Sequence, residues 1–197
     1  MSGGAGAGAE RAVSANGSGA GPTPERDAVD EIVDQWRAER PDLDSEIMAL
    51  PGRIWRAANL LNRAVAQQHA EHGLEGWEFD VLATLRRSGA PYTLSGKELG
   101  AAAMKTSGAI TNRVDRLVRK GLVERNTAPH DRRTMLVSLT PEGLRLVDEV
   151  AESHVENEKR LLSSLSTEDR DVLGEALRRL LISLGDTSLE PQGPEKR

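Results

Sequence analysis

Cysteine is absent from the 197 residues. That excludes disulfides, thiol redox sensing, Fe–S clusters and thiolate metal sites, and it fits a cytoplasmic protein. Long apolar runs are absent too, and 29% of the residues are charged, so neither a transmembrane helix nor a membrane partner is expected. The chain does not open on a basic stretch followed by an apolar one, and no signal peptide is read there. A Gly-rich phosphate loop and a strand-turn-helix nucleophile elbow are both missing, so an enzyme is not expected, nor a cofactor. Large apolar side chains are almost missing from the Gly-, Ala- and Ser-rich start. Residues 1–22 therefore read as a disordered tail, and 185–197 as a shorter flexible one. What remains, 23–184, is enough for one domain with a sizeable core.

The net charge of −5 hides an asymmetry. Between Lys97 and Arg133 nine basic residues face four acids, a local +5 that leaves −10 for the rest. A basic segment in an acidic protein is the footprint of polyanion binding, although a solvated charged face has the same composition.

The patterning predicts a mainly α fold. Thr23-Pro24 reads as cap and first position of a helix over 24–39, with Val29, Ile32, Val33 and Trp36 as its stripe. A second helix is expected over about 46–72 and a third over about 77–87, the second ended by Gly73. Ser95-Gly-Lys-Glu98 is a capping box opening a short helix. Thr106-Ser107 starts another, which Gly121 ends, and the two make a helix-turn-helix. Leu122–Arg125 and Thr134–Leu139 read as the strands of a β-wing whose tip spans Thr127–Arg132. Long helices follow from Thr140-Pro141-Glu142 and from the Ser166–Asp169 box, as far as residue 184. The architecture expected is a winged helix-turn-helix DNA-binding domain at about 77–139. The N- and C-terminal helices, about 46–72 and 141–184, would form a dimerisation domain; burial within a monomeric core fits the same stripe.

The stretch from Ser107 to Arg125, SGAITNRVDRLVRKGLVER, carries the chemistry. At 100° per residue Ile110, Val114, Leu117 and Val118 form a core face. Asn112, Arg116 and Arg119 lie opposite, and Ser107, Gly108 and Thr111 belong to the helix's N-terminal half. Small or amide side chains near base edges, with arginines for phosphate or guanine, are what a recognition helix needs. Arg132 and Arg133 at the wing tip suit phosphates or the minor groove of double-stranded DNA. A helical dimer binding another protein through this basic face is the rival of a different class. Arg113 falls off the cationic face, near the apolar boundary, where a charge needs a partner. His69 and His72 have a metal-chelating spacing, but with no cysteine and one nearby acid they read as surface histidines and no metal site is expected.

The stretch from Ser107 to Arg125, with the wing segment HDRRTMLVSLTPEG, resembles the MarR family of dimeric winged helix-turn-helix transcriptional regulators, from about Pro51 to Leu184. The added helix around Asp30–Asp44 resembles that of the family's urate-responsive subgroup, the HucR, PecS and TamR type. The subgroup implies an anionic ligand held by a Trp, an Asp and two Arg, matched here by Trp36, Asp80, Arg113 and Arg125. The implied ligand is urate, a planar anion whose oxygens suit arginine forks and whose N–H groups suit a carboxylate. Subgroup members responding to citrate or aconitate keep a tricarboxylate open, though it has little use for Asp80. Each residue also has a plainer role: packing for Trp36, the helix dipole for Asp80, a phosphate contact for Arg125. The resemblance implies a homodimeric repressor reading a pseudo-palindrome, released when the ligand shifts the recognition helix.

Overall fold

Asp27 caps the first helix, and Thr23-Pro24, the expected start, lies outside the described residues. In the computed structural model, which describes residues 26–102, 107–128 and 131–189, helix α1 spans Ala28–Glu39. The Asp27 carboxylate accepts from the backbone N–H groups of Val29 and Asp30 at 2.8 and 3.2 Å, and the Asp30 carboxylate accepts from the Asp27 N–H at 2.8 Å. That reciprocal box satisfies donors which otherwise lack partners in a first turn. A 3-10 turn, Ser45–Met48, leads into helix α2, Ala49–Glu71. The chain divides into two compact units, one through Trp55 and one from Arg56 onward. In the first, Val29 and Val33 are buried, and Arg53 donates to Asp27 and Asp30 at 2.7 and 2.6 Å.

The second unit holds the winged helix. Its elements are α3 (Gly76–Arg87), β1 (Thr93–Ser95), α4 (Gly96–Ala102), α5 (Ser107–Arg119), β2 (Val123–Ala128) and β3 (Asp131–Leu139). The Ser95 box forms as expected: the Ser95 N–H donates to Glu98 at 2.7 Å and the Glu98 N–H to the Ser95 hydroxyl at 3.2 Å. The sheet is antiparallel in the order β1-β3-β2, and β1 is an addition to the expected two-stranded wing. Three residues are too few to show a period in sequence; pairing of Leu94 with Val137 makes them a strand. The wing strands run further than expected. Ala128 pairs with Asp131, so Arg132 and Arg133 lie within β3 and not on a long tip loop; their side chains lie outside the described residues.

One apolar core joins these elements. Phe79, Val81, Leu82 and Leu85 from α3 meet Leu99 from α4, Ile110, Val114 and Leu117 from α5, and Val137 and Leu139 from β3. Val118, expected on the core face, is 39% exposed. It lies roughly 100° around the helix from Leu117, beyond the edge of the buried stripe.

Gly121 takes the left-handed turn at φ 71° that ends α5. Thr140 then caps α6 (Pro141–Leu161), its hydroxyl accepting from the Gly143 N–H at 3.0 Å and donating to the Gly121 carbonyl at 2.7 Å. Val147 and Val150 of α6 complete the core. The last helix, α7 (Thr167–Ser183), opens on the Ser166–Asp169 box and contains no buried residue. Val172, Leu173, Leu180, Leu181 and Ile182 are exposed on it. Among the described residues no helix is long and apolar enough to cross a membrane.

Candidate nucleic-acid interface and effector site

Helix α5 is amphipathic about its buried Ile110, Val114 and Leu117, and this fixes what points outward. Thr111, Asn112, Arg116 and Arg119 are exposed. Ser107 and Gly108 form the first turn, and their side chains lie outside the described residues. The C-terminal end of the helix is tied to the start of α3. Lys120 Nζ donates to the Gly73 carbonyl at 3.1 Å and to Glu78 Oε2 at 2.6 Å. Glu78 is fully buried, and its Oε2 also accepts from the Glu75 N–H at 2.9 Å. A buried carboxylate without a cation is expensive, so this contact fixes α5 against α3.

Arg113 and Arg116 are not divided between separate partners within the protein. The Arg116 guanidinium lies 4.9 Å and the Arg113 guanidinium 5.2 Å from the ring centroid of one indole, Trp77 on α3. Arg116 also pairs with the Glu75 carboxylate, which accepts from the Trp77 ring N–H at 2.5 Å. The Trp77 N–H foremost, and Arg116 next, hold the Glu75 carboxyl below its ordinary pKa. Arg113 is half-buried and has no carboxylate partner among the described residues; its off-face charge rests on an aromatic face. Glu75, Trp77, Glu78 and Lys120 were not candidates on sequence. The available signal was the three-residue spacing of Arg113 and Arg116, which puts both over one neighbour.

Of the four expected effector residues, Asp80, Arg113 and Arg125 belong to the second unit and Trp36 to the first. Arg125 on β2 pairs through Nη1 with Asp115 at 2.6 Å and donates from Nη2 to the Thr111 carbonyl at 3.1 Å. Asp115 lies roughly 160° around α5 from Arg113. Arg125 is thus a strut between wing and helix, on the flank away from the one that carries Arg113. Each arginine has its own neighbours, the Trp77 ring for Arg113 and the Asp115 carboxylate for Arg125. Asp80 is exposed on α3, three residues from Trp77, and its carboxylate has no hydrogen bond or ion pair among the described residues. Trp36 belongs to α1 in the first unit; it is 42% exposed, so packing does not account for it there.

The histidines depart from expectation. His69 is only 3% exposed, and both of its ring nitrogens lack partners among the described residues. Its ring lies 4.4 Å from Phe79 and 5.3 Å from His154, centroid to centroid. Burial, then the His154 charge, pushes the His69 pKa down, and Asp80 opposes the shift. His72 is half-buried, with Nε2 2.9 Å from the Ser153 hydroxyl. Helix α2 turns this edge toward α6, which the spacing of two histidines does not reveal. No group of residues suited to a metal ion occurs among the described residues.

Comparison with known proteins agrees with this architecture. The MarR family profile matches residues 72–134. The HTH-type transcriptional regulator PecS of Dickeya dadantii is 43% identical over 152 residues, covering 77% of this chain and 92% of PecS. A mutant MarR from E. coli complexed with operator DNA superposes with a TM-score of 0.62 at 26% identity, over 71% of this chain and 98% of that one. BpsR of Bordetella bronchiseptica, whose DNA binding is regulated by 6-hydroxynicotinic acid, gives a TM-score of 0.58 at 25% identity over 66% and 91%. These relatives are regulators and not enzymes.

Proposed function

The chain belongs to the MarR family of winged helix transcriptional regulators, and on that premise we propose that it is a homodimeric repressor that binds operator DNA and is released by urate. The observation that carries the DNA reading is the exposed face of α5, where Asn112, Arg116 and Arg119 stand opposite a fully packed core face. Ser107, Gly108 and Thr111 extend that face toward the helix N-terminus, and Arg132 and Arg133 serve the wing. Operator binding by the structurally similar MarR supports it. The dimer reading rests on α7, which offers an apolar surface with nothing buried. Two-fold symmetry then asks for half-sites about one helical turn apart, roughly 10 bp.

The effector reading rests on a complementary pair. Asp80 offers a carboxylate beside Trp77 with no hydrogen bond or ion pair among the described residues, and Arg113 offers a guanidinium that lies against that indole. Urate presents ring N–H groups to the one and oxygens to the other. Trp36 is the third member that the subgroup resemblance supplies. Arg125 acts from the other flank of α5, transmitting helix position to the wing. Ligand binding at Arg113 biases the α5 placement, and a coupling of about 1–3 kcal/mol lowers operator affinity roughly 5- to 150-fold. Gel shifts with Arg113→Ala test this: the variant should bind DNA and ignore urate, and a complex that urate still releases refutes the assignment. Thermal shifts with urate, xanthine, citrate and aconitate, repeated on Asp80→Ala, identify the ligand class. Selective loss of urate stabilisation supports purine; stabilisation by citrate that survives Asp80→Ala replaces it with a tricarboxylate.

A further inference from the structure

Arg116 is held in the free protein on two sides at once. Glu75 pairs with its guanidinium, and the Trp77 ring lies 4.9 Å from its Cζ. Glu75 is itself oriented, because the Trp77 N–H donates to its other carboxylate oxygen at 2.5 Å. These three residues form a closed loop: carboxylate to guanidinium, guanidinium over indole, indole back to carboxylate. Glu75 and Trp77 sit at the start of α3, and α3 is fixed to α5 by the Glu78–Lys120 contact. The loop is therefore built on two elements that do not move apart freely.

A phosphate competes for the same guanidinium edge that Glu75 occupies. We infer that Glu75 and Trp77 dock Arg116 in competition with the DNA backbone, and so set how tightly this protein binds its operator. When Arg116 meets a phosphate it exchanges one anion for another, and the net gain is smaller than that of a free arginine by the worth of the pair it gives up. Arg113 keeps the dock weak. Its charge lies 5.2 Å from the same ring, three residues away on the same helix, and repels Arg116 across the shared indole. The dock is also largely in solvent, where ion pairs are worth little, so it is reversible on each binding event. The inference rests on the reading that Arg116 contacts DNA, and the experiment separates the two.

The test is a double-mutant cycle on the full-length protein, read by fluorescence anisotropy on a duplex that the wild type selects from a random pool. Affinity is measured across a salt series for wild type, Glu75→Gln, Arg116→Gln and the double variant. Arg116→Gln should weaken binding. Glu75→Gln should tighten it about two- to fivefold, the scale of an exposed ion pair, and steepen the salt dependence by up to about 0.9 for each arginine freed. In the Arg116→Gln background, Glu75→Gln should change nothing. Trp77→Phe keeps a ring under Arg116 but removes the N–H that orients Glu75, and it should tighten binding only while Arg116 is present. Thermal midpoints taken alongside identify a variant that binds poorly because it is unfolded. Equal tightening by Glu75→Gln in both backgrounds would mean a general loss of negative charge and overturns the inference. So does the absence of tightening in the otherwise wild-type protein when Arg116→Gln does weaken binding. An Arg116→Gln protein that binds as tightly as wild type refutes the DNA contact itself, and the dock with it.

Discussion

Gly143, in the first turn of α6, is where a single methyl group should do most damage. A Cβ built there meets the Leu122 carbonyl oxygen at 1.9 Å, its carbon at 2.8 Å and the Leu122 Cα at 3.2 Å. Such contacts essentially never fall below 3.0 Å, so Gly143→Ala must displace backbone by at least 1.1 Å. That backbone is not free to yield. The Leu122 carbonyl accepts from the Thr140 N–H at 3.1 Å, and the Leu122 N–H donates to Leu117 at the end of α5 at 3.0 Å. Alanine is better than glycine within a helix by about 1 kcal/mol. Overpacking costs about 1–3 kcal/mol, and disturbing the two hydrogen bonds adds about 1 kcal/mol each. The clash wins, and a net loss of about 2–4 kcal/mol is expected. Urea unfolding at fixed protein concentration reads it as a lower midpoint with an unchanged slope. Gly174 in α7 is the control, because a Cβ there meets nothing within 4 Å, and Gly174→Ala should leave stability equal or higher. A Gly143→Ala protein within about 0.5 kcal/mol of wild type, the range of an ordinary surface substitution, would refute the close approach of α6 to the α5–β2 turn.

Three further outcomes are expected. The His69 pKa is depressed by burial in the folded state, so the unfolded chain binds its proton first as pH falls below about 6.5. Stability is unaffected above that value and declines below it toward the folded pKa; melting curves between pH 7.5 and pH 5 should show His69→Phe losing less than wild type, and parallel losses count against the assignment. Lys120→Met leaves the buried Glu78 carboxylate without its cation and should cost about 1–3 kcal/mol, the lower side of a broken buried pair because Lys120 is itself exposed. Removing both charges with Glu78→Gln should recover part of that loss in chemical unfolding, and a double variant no more stable than Lys120→Met contradicts the pairing. Leu173→Glu with Leu181→Glu on α7 should yield monomers by sedimentation and weaken operator binding; an unchanged dimer places the interface elsewhere.

Local chemistry was legible along the chain. The Ser95–Glu98 and Ser166–Asp169 boxes, the Thr140-Pro141 start and the Gly121 stop each depend on residues a few positions apart, and each forms where the pattern put it. The core face of α5 followed from helical period, apart from Val118 at its margin. The wing was visible in its two strands, but β1 was not, because three residues acquire a strand's identity only from the partner they pair with. The Asp27 cap of α1 was likewise not read from the sequence; its reciprocal bonding with Asp30 makes it one.

The site shows the division most sharply. Sequence alone determined that α5 carries a cationic face, that Arg113 falls outside it, and that such an outlier needs a partner. Those conclusions follow from periodicity and from the cost of stranded charge, which are properties of one helix. Only the tertiary structure decided what the partners are. Trp77 is 36 positions before Arg113 and serves Arg116 as well. Arg125 braces α5 through Asp115, on the flank opposite Arg113. His69 is enclosed by rings from α3 and α6. Helical period says which way a side chain points; packing between elements distant in the chain says what it meets there.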